Sequence, residues 1–100
     1  MSHTLVALGR FDLRIPGCSS LKQKRHVVKS LTSAIRQTFQ VSVAEVDHQD
    51  LWQRTAIAVA AVGASEFQLR RVLHGVAKLI DRWAEVEVIQ ADLQVLGSDD

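Results

Sequence analysis

Hydrophobic residues recur with two different periods along this chain, and the order of those periods leaves few folds open. An apolar residue at every second position marks a strand, and one at every third or fourth marks a helix. From Thr4 to Ile15 the chain alternates, with Leu5, Ala7, Gly9, Phe11, Leu13 and Ile15 on one face and Arg10, Asp12 and Arg14 on the other. Pro16-Gly17 stops this strand, because proline lacks an amide donor and glycine allows a tight bend. Ser20, with Gln23 three residues on, forms a capping-box pattern and opens a helix to about Phe39. The buried stripe of that helix is Leu21, Val27, Val28, Leu31, Ala34 and Ile35.

Val41 to Val46 reads as a second strand, Asp47 to Gln53 as a polar connection, and Thr55 to Val62 as a third strand. The third carries almost no charge on either face, which predicts a central position in a sheet. Gly63-Ala64 ends it, and Ser65 with Gln68 repeats the capping pattern. The second helix buries Leu69, Val72, Leu73, Val76, Ile80 and Trp83. Glu85 to Leu96 supplies a last, more polar strand, and Gly97 to Asp100 reads as a disordered tail.

The order is β-α-β-β-α-β. Right-handed crossovers then place both helices on one face of a four-stranded antiparallel sheet, with the first and third strands central. The expected fold is an α+β domain of the ferredoxin-like type. A chain of 100 residues is one domain, since two cores of half that size would be too small to be stable. The far face of the sheet stays open, as a binding surface or a dimer interface.

Composition is that of a globular protein, at 47% hydrophobic and 23% charged. The longest wholly apolar run, Ala56 to Val62, falls far short of the roughly 20 residues that cross a bilayer, so no membrane partner is expected. Met1-Ser2-His3-Thr4 lacks the basic start of a signal peptide, and the single Cys18 excludes an intramolecular disulfide. Both features suit the cytoplasm. The net charge of +1 hides an asymmetry: from Arg10 to Arg36 there are seven basic residues and one acid, Asp12, so this segment carries +6 and the remainder −5. Such a segment suits an anionic partner.

The first helix carries the most informative pattern. At 100° per residue, Lys22, Arg25, Lys29 and Arg36 fall within an arc of about 60°, on the solvent-side flank and away from the Leu31 face. An unbroken basic line can follow a phosphate backbone, releasing a counterion at each contact. Lys24 points toward the core sector, and a first-turn lysine there is expected to lay its stem on apolar neighbours and lift its ammonium into water. It then joins the candidate phosphate contacts, as do Arg10 and Arg14 if the open sheet face takes part. A second stripe, Arg71, Lys78 and Arg82, is diluted by Glu66, Asp81 and Glu85 and reads as a solvated face.

The connection after the second strand, with Asp47, His48, Asp50, Trp52 and Arg54, is a candidate interaction loop. Neighbouring Asp47 and His48 should point to opposite faces, and no second histidine stands at ligand spacing, so no metal site is expected. An aspartate here more readily holds the loop through backbone N–H groups. Trp52 is expected to cover the core edge, with a stacking surface as the alternative. Cys18 precedes a helix N-terminus but lacks a base and an orienting group, and reads as a small turn residue. No glycine-rich phosphate loop is present, and no cofactor or catalytic residue is expected. The open sheet face also lacks the aromatics of an RNA-recognition motif, which counts against single-strand stacking but not against backbone contacts.

Leu13-x-x-Pro16-Gly17, the run Ser20-Leu21-Lys22-Gln23-Lys24-Arg25 and the run Ser42 to Arg54 together resemble the bacterial YlxP-like family, a domain of unknown function. The resemblance extends from about Leu5 to Leu96, with Gln23 standing where an acidic residue is common. It implies a ferredoxin-like domain. Genes of such proteins often lie beside those for translation initiation and ribosome maturation, so it also implies RNA or the ribosome as partner. The expectation is a non-enzymatic accessory protein binding RNA or ribosome through its first helix. The alternative is a protein-interaction or homo-oligomerisation module, a homodimer included, that uses the open sheet face and the Trp52 loop.

Overall fold

The first strand forms the axis of the fold. In the computed structural model, which describes residues 4–98, β1 (Thr4–Arg14) pairs antiparallel with β3 (Arg54–Gly63) on one side and with β4 (Glu87–Ser98) on the other. β2 (Ser42–Asp47) pairs antiparallel with the outer side of β3, giving the sheet order β2-β3-β1-β4. α1 (Leu21–Thr38) and α2 (Glu66–Asp81) are the two crossovers. This is the ferredoxin-like topology, with β1 and β3 central.

Both helices lie on the same face, because their apolar stripes enter a single core. Val27, Leu31 and Ile35 of α1 and Leu69, Leu73, Val76 and Ile80 of α2 pack with Ala7, Phe11 and Leu13 of β1 and with Ile57 and Val59 of β3. Burying each of the larger side chains contributes about 2 kcal/mol. Val72 and Trp83 are only partly buried. Cys18 closes the turn, its amide donating to the Ile15 carbonyl at 3.3 Å, and its side chain is buried in the core cluster, where the thiol donates to the Ser20 carbonyl at 3.4 Å.

Both helix starts are capped by the serines expected. Ser20 Oγ accepts from the Gln23 amide at 3.1 Å, and Ser65 Oγ from the Gln68 amide at 3.2 Å. The reciprocal arm of the first box reaches one residue further back than usual, since Gln23 Oε1 accepts from the Ser19 amide at 3.0 Å. Within α2, Gly75 makes room for the neighbouring helix: a Cβ there would sit 2.6 Å from the Phe39 ring.

Each edge strand carries a bulge near Asp12. β4 shifts register between its pairings with Asp12 and Leu13, leaving Ile89 as the extra residue, and β2 shifts between Glu45 and Asp47, leaving Val46. Both extra residues are exposed. The β2 bulge has a consequence for the site, because it moves Asp47 off the helix-covered face, where Val43 and Glu45 point, and sets it opposite Ala56 on the open face. The tail expected from Gly97 needs correcting too. Gly97 and Ser98 continue β4, paired with Leu5 and Thr4, because the long β1 offers them backbone partners; Asp99 and Asp100 lie outside the described residues.

Candidate functional site

α1 contains no acidic residue, and its basic flank is on the surface. Lys22, Arg25, Lys29 and Arg36 are all exposed, and among the described residues none of them forms an ion pair. Arg36 also donates to the Val43 carbonyl at 3.0 Å, which covers part of the β2 edge. A groove of about 450 Å³ runs between α1 and the β2–β3 connection, with Arg25, Lys29 and Arg36 on one wall and Gln49 and Asp50 on the other. Lys22 stands in the first turn, where the helix dipole already places positive charge. Such a cation costs about 0.3–1 kcal/mol. The positive potential at this end of α1 is therefore built against the preference of the helix itself.

Lys24 does not lift its ammonium into water. It is 1% exposed, and Nζ lies 2.9 Å from Glu45 Oε2 while donating to the His48 carbonyl. Thr55 Oγ1 donates to the same carboxylate at 2.6 Å. A buried ammonium is tolerated where a carboxylate and a carbonyl satisfy it. Lys24 thus stands apart from the surface stripe and pins the β2–β3 connection to α1.

That connection is held at several further points. The Leu51 amide donates to His48 O at 3.1 Å, the Ile15 amide to Gln53 O at 2.9 Å, and Gln53 Nε2 to Cys18 O at 3.2 Å. His48 adopts a left-handed backbone, φ 61°, an uncommon conformation for a residue other than glycine. The turn, with the bulge before it, removes the expected opposition of Asp47 and His48. The His48 imidazole lies 3.6 Å from Asp12 and 3.9 Å from Asp47, while Arg10 reaches Asp12 at 3.4 Å and Asp47 at 3.3 Å. The His48 amide, donating to Asp47 Oδ1 at 2.8 Å, is the main cause that holds the Asp47 carboxyl below the usual carboxylate range; the imidazole and Arg10 add to it. Among the described residues no cluster of His, Cys, Asp and Glu is arranged to hold a metal ion.

Trp52 does not cover the core. It is 49% exposed, Leu51 beside it 50%, and neither belongs to the core cluster. The two line a shallow hollow of about 390 Å³ with Asp50, Gln53 and Arg54. Arg54 pairs across the sheet with exposed Arg14, an opposition of like charges, and Arg54 Nε is buried without a hydrogen-bond partner among the described residues. The structure therefore brings Arg14, Trp52 and Arg54 to one end of the sheet. Arg10 sits on the open face with its charge engaged by two carboxylates, across the sheet from α1.

A larger hollow, about 700 Å³, lies elsewhere, between α2 and β4. Phe11, Val88, Ala91 and Leu93 line it with Arg71, His74, Lys78 and Asp81. His74 and Asp81 are two helical turns apart, about 10 Å, and so do not form a dyad. Among the described residues no helix is long and apolar enough to cross a membrane.

Fold and surface together define a ferredoxin-like α+β domain with one basic helix and a pinned aromatic loop. The chain belongs to the family described as "Protein of unknown function (DUF503)", which matches residues 6–93. It is 35% identical over 83 residues to the "Uncharacterized protein YlxP" of Bacillus subtilis (strain 168), covering 83% of this chain and 90% of the relative. Among solved structures it is similar to the de novo designed protein Foldit4, with TM-score 0.51, 11% identity and coverage of 97% of this chain and 98% of the other. A de novo designed protein with ferredoxin fold, LFR1 1, matches at TM-score 0.42 and 9% identity, over 100% of this chain and 88% of the other. The likeness to Foldit4 is one of fold alone.

Proposed function

We propose that this protein is a cytoplasmic, non-enzymatic accessory protein that associates with RNA, free or in the ribosome, through Lys22, Arg25, Lys29 and Arg36. The supporting observation is the exposed, acid-free flank of α1, where four cations stand without an ion pair among the described residues and Lys22, in the first turn, is opposed by the helix dipole. A phosphate backbone laid along this flank would relieve that repulsion and release counterions. Phosphate contacts position a partner and carry little sequence information, so the role would be docking on RNA.

The test is direct. Reversing Lys22, Arg25 and Lys29 to Glu should abolish RNA association while the protein stays folded, because these residues are exposed and acids are favoured at a helix start. The matched control reverses Arg71, Lys78 and Arg82, which changes the net charge equally. A site on α1 loses binding only in the first variant, and log affinity should fall with log salt at a slope of about −3 for four phosphates. Equal losses in both variants, or binding retained in the first, would refute the reading.

A second surface favours self-association as a companion property. Val6 is flanked in register by Val62 and Leu96, which are 72% and 50% exposed, so an apolar row crosses three strands at one end of the open face.

A further inference from the structure

We infer that the Trp52 hollow is a stacking site for an unpaired nucleobase, so that the RNA bound is single-stranded where it crosses the β2–β3 connection. This rests on the proposed role of α1 and goes further by naming the form of RNA. The hollow adjoins the α1 groove, since Asp50 lines both. A strand laid along Arg25 and Lys29 therefore reaches the indole next.

Half the Trp52 surface faces solvent, with Leu51 extending the apolar area. An exposed aromatic on a loose loop would lose much of its stacking energy to ordering, but this loop is already ordered. Lys24 holds the His48 carbonyl from below, Gln53 bonds the chain at Ile15 and Cys18, and the Leu51 amide closes the turn on His48. A rigid indole meets a base with little further entropy to lose.

The polar groups around the hollow suit a nucleotide. Asp50 offers an acceptor to base N–H groups, and Arg54, which also lines the hollow, brings a guanidinium to it. Opposite Arg54 stands Arg14, without an ion pair among the described residues, so a phosphate at this end would offset a like-charge opposition. Basic groove, stacking aromatic and second basic pair thus follow one another along a single path. That is the arrangement by which single strands are held without strong sequence preference. A duplex keeps its bases stacked inside and gains only the phosphate contacts.

The experiment compares a labelled, unstructured dodecaribonucleotide with an RNA duplex of the same length, by fluorescence anisotropy. Trp52→Ala should weaken single-strand binding about tenfold and leave duplex binding unchanged, while Trp52→Phe retains most single-strand affinity. In a Trp83→Phe background the remaining indole is Trp52, and its emission should be quenched by the single strand and not by the duplex. If α1 reversal abolishes binding but Trp52→Ala leaves the single strand unaffected, or weakens both RNAs equally, this inference fails and the α1 reading stands. If α1 reversal leaves binding intact, or the wild-type protein binds neither RNA, both fail. Quenching by duplex as strong as by single strand would also overturn it.

Discussion

Lys24 and Glu45 are each out of place alone and consistent as a pair. Removing the lysine would leave a carboxylate enclosed between α1 and β3 and would free the His48 carbonyl. Lys24→Met should therefore cost about 3 kcal/mol, the low end for breaking a buried pair, because Glu45 keeps some contact with water. Replacing Glu45 by Leu in the same chain should recover more than half of that loss, since a well-packed apolar pair avoids desolvating either charge. Urea unfolding of the two variants and the wild type measures both effects; a single-variant loss below about 1 kcal/mol would mean the ammonium is not what holds the loop. Half of this pairing was legible in the sequence. The helical angle of Lys24 turned it inward, and Glu45 shares the parity of buried Val43, but each position alone allows a side chain that bends back to water. Only the distance between them decides it. The exposure of Trp52 is hidden in the sequence for a related reason, as a tryptophan in a short connection has no periodicity to assign it a side.

At the scale of elements the sequence was most informative where local chemistry sets a boundary. Ser20 and Ser65 begin the helices at the positions expected, because an N-cap hydroxyl answers amides of its own first turn. Strand pairing was less legible. The bulges at Val46 and Ile89 are backbone events that reverse the parity on which the assignment of faces depends, and the final residues of β4 are ordered by a partner far away in sequence. Helix–helix contact was hidden altogether, in Gly75. An interior glycine replaced by alanine ordinarily stabilises a helix by about 1 kcal/mol. Here the added Cβ meets the Phe39 ring at 2.6 Å, so the ring must rotate outward and lose its burial. Gly75→Ala should thus be net destabilising by about 1 kcal/mol, with the sign reversed in a Phe39→Ala background where the space is free. Thermal melts of the four chains test this; stabilisation by Gly75→Ala in the wild-type background would show that Phe39 yields without loss.

The whole molecule is long for its size, 52 Å by 21 Å by 19 Å, and its two distinctive surfaces lie at opposite ends of β1. Arg14 and the Trp52 loop mark one end, and the apolar row of Val62, Val6 and Leu96 marks the other. Arg14 lies eight positions beyond Val6 along the strand, about 26 Å. A second copy related by a two-fold axis can set its row against the first, covering side chains that would otherwise remain in water. The patch is small, so association should appear only at micromolar concentrations and above. Val62→Glu should abolish it, since each copy would then bury an unpaired carboxylate. The same substitution should leave stacking at Trp52 unchanged, because that end of the sheet lies beyond the Debye length of about 8 Å at physiological salt. The wild-type dimer should in turn bind a long RNA more tightly than a short one, through two outward-facing sites, and Val62→Glu should remove that advantage. Sedimentation equilibrium at high micromolar concentration, paired with anisotropy on short and long RNAs, reads all of these. A wild-type protein that stays monomeric would remove the interface, and a loss of short-RNA binding in Val62→Glu would show that the two ends do not act independently.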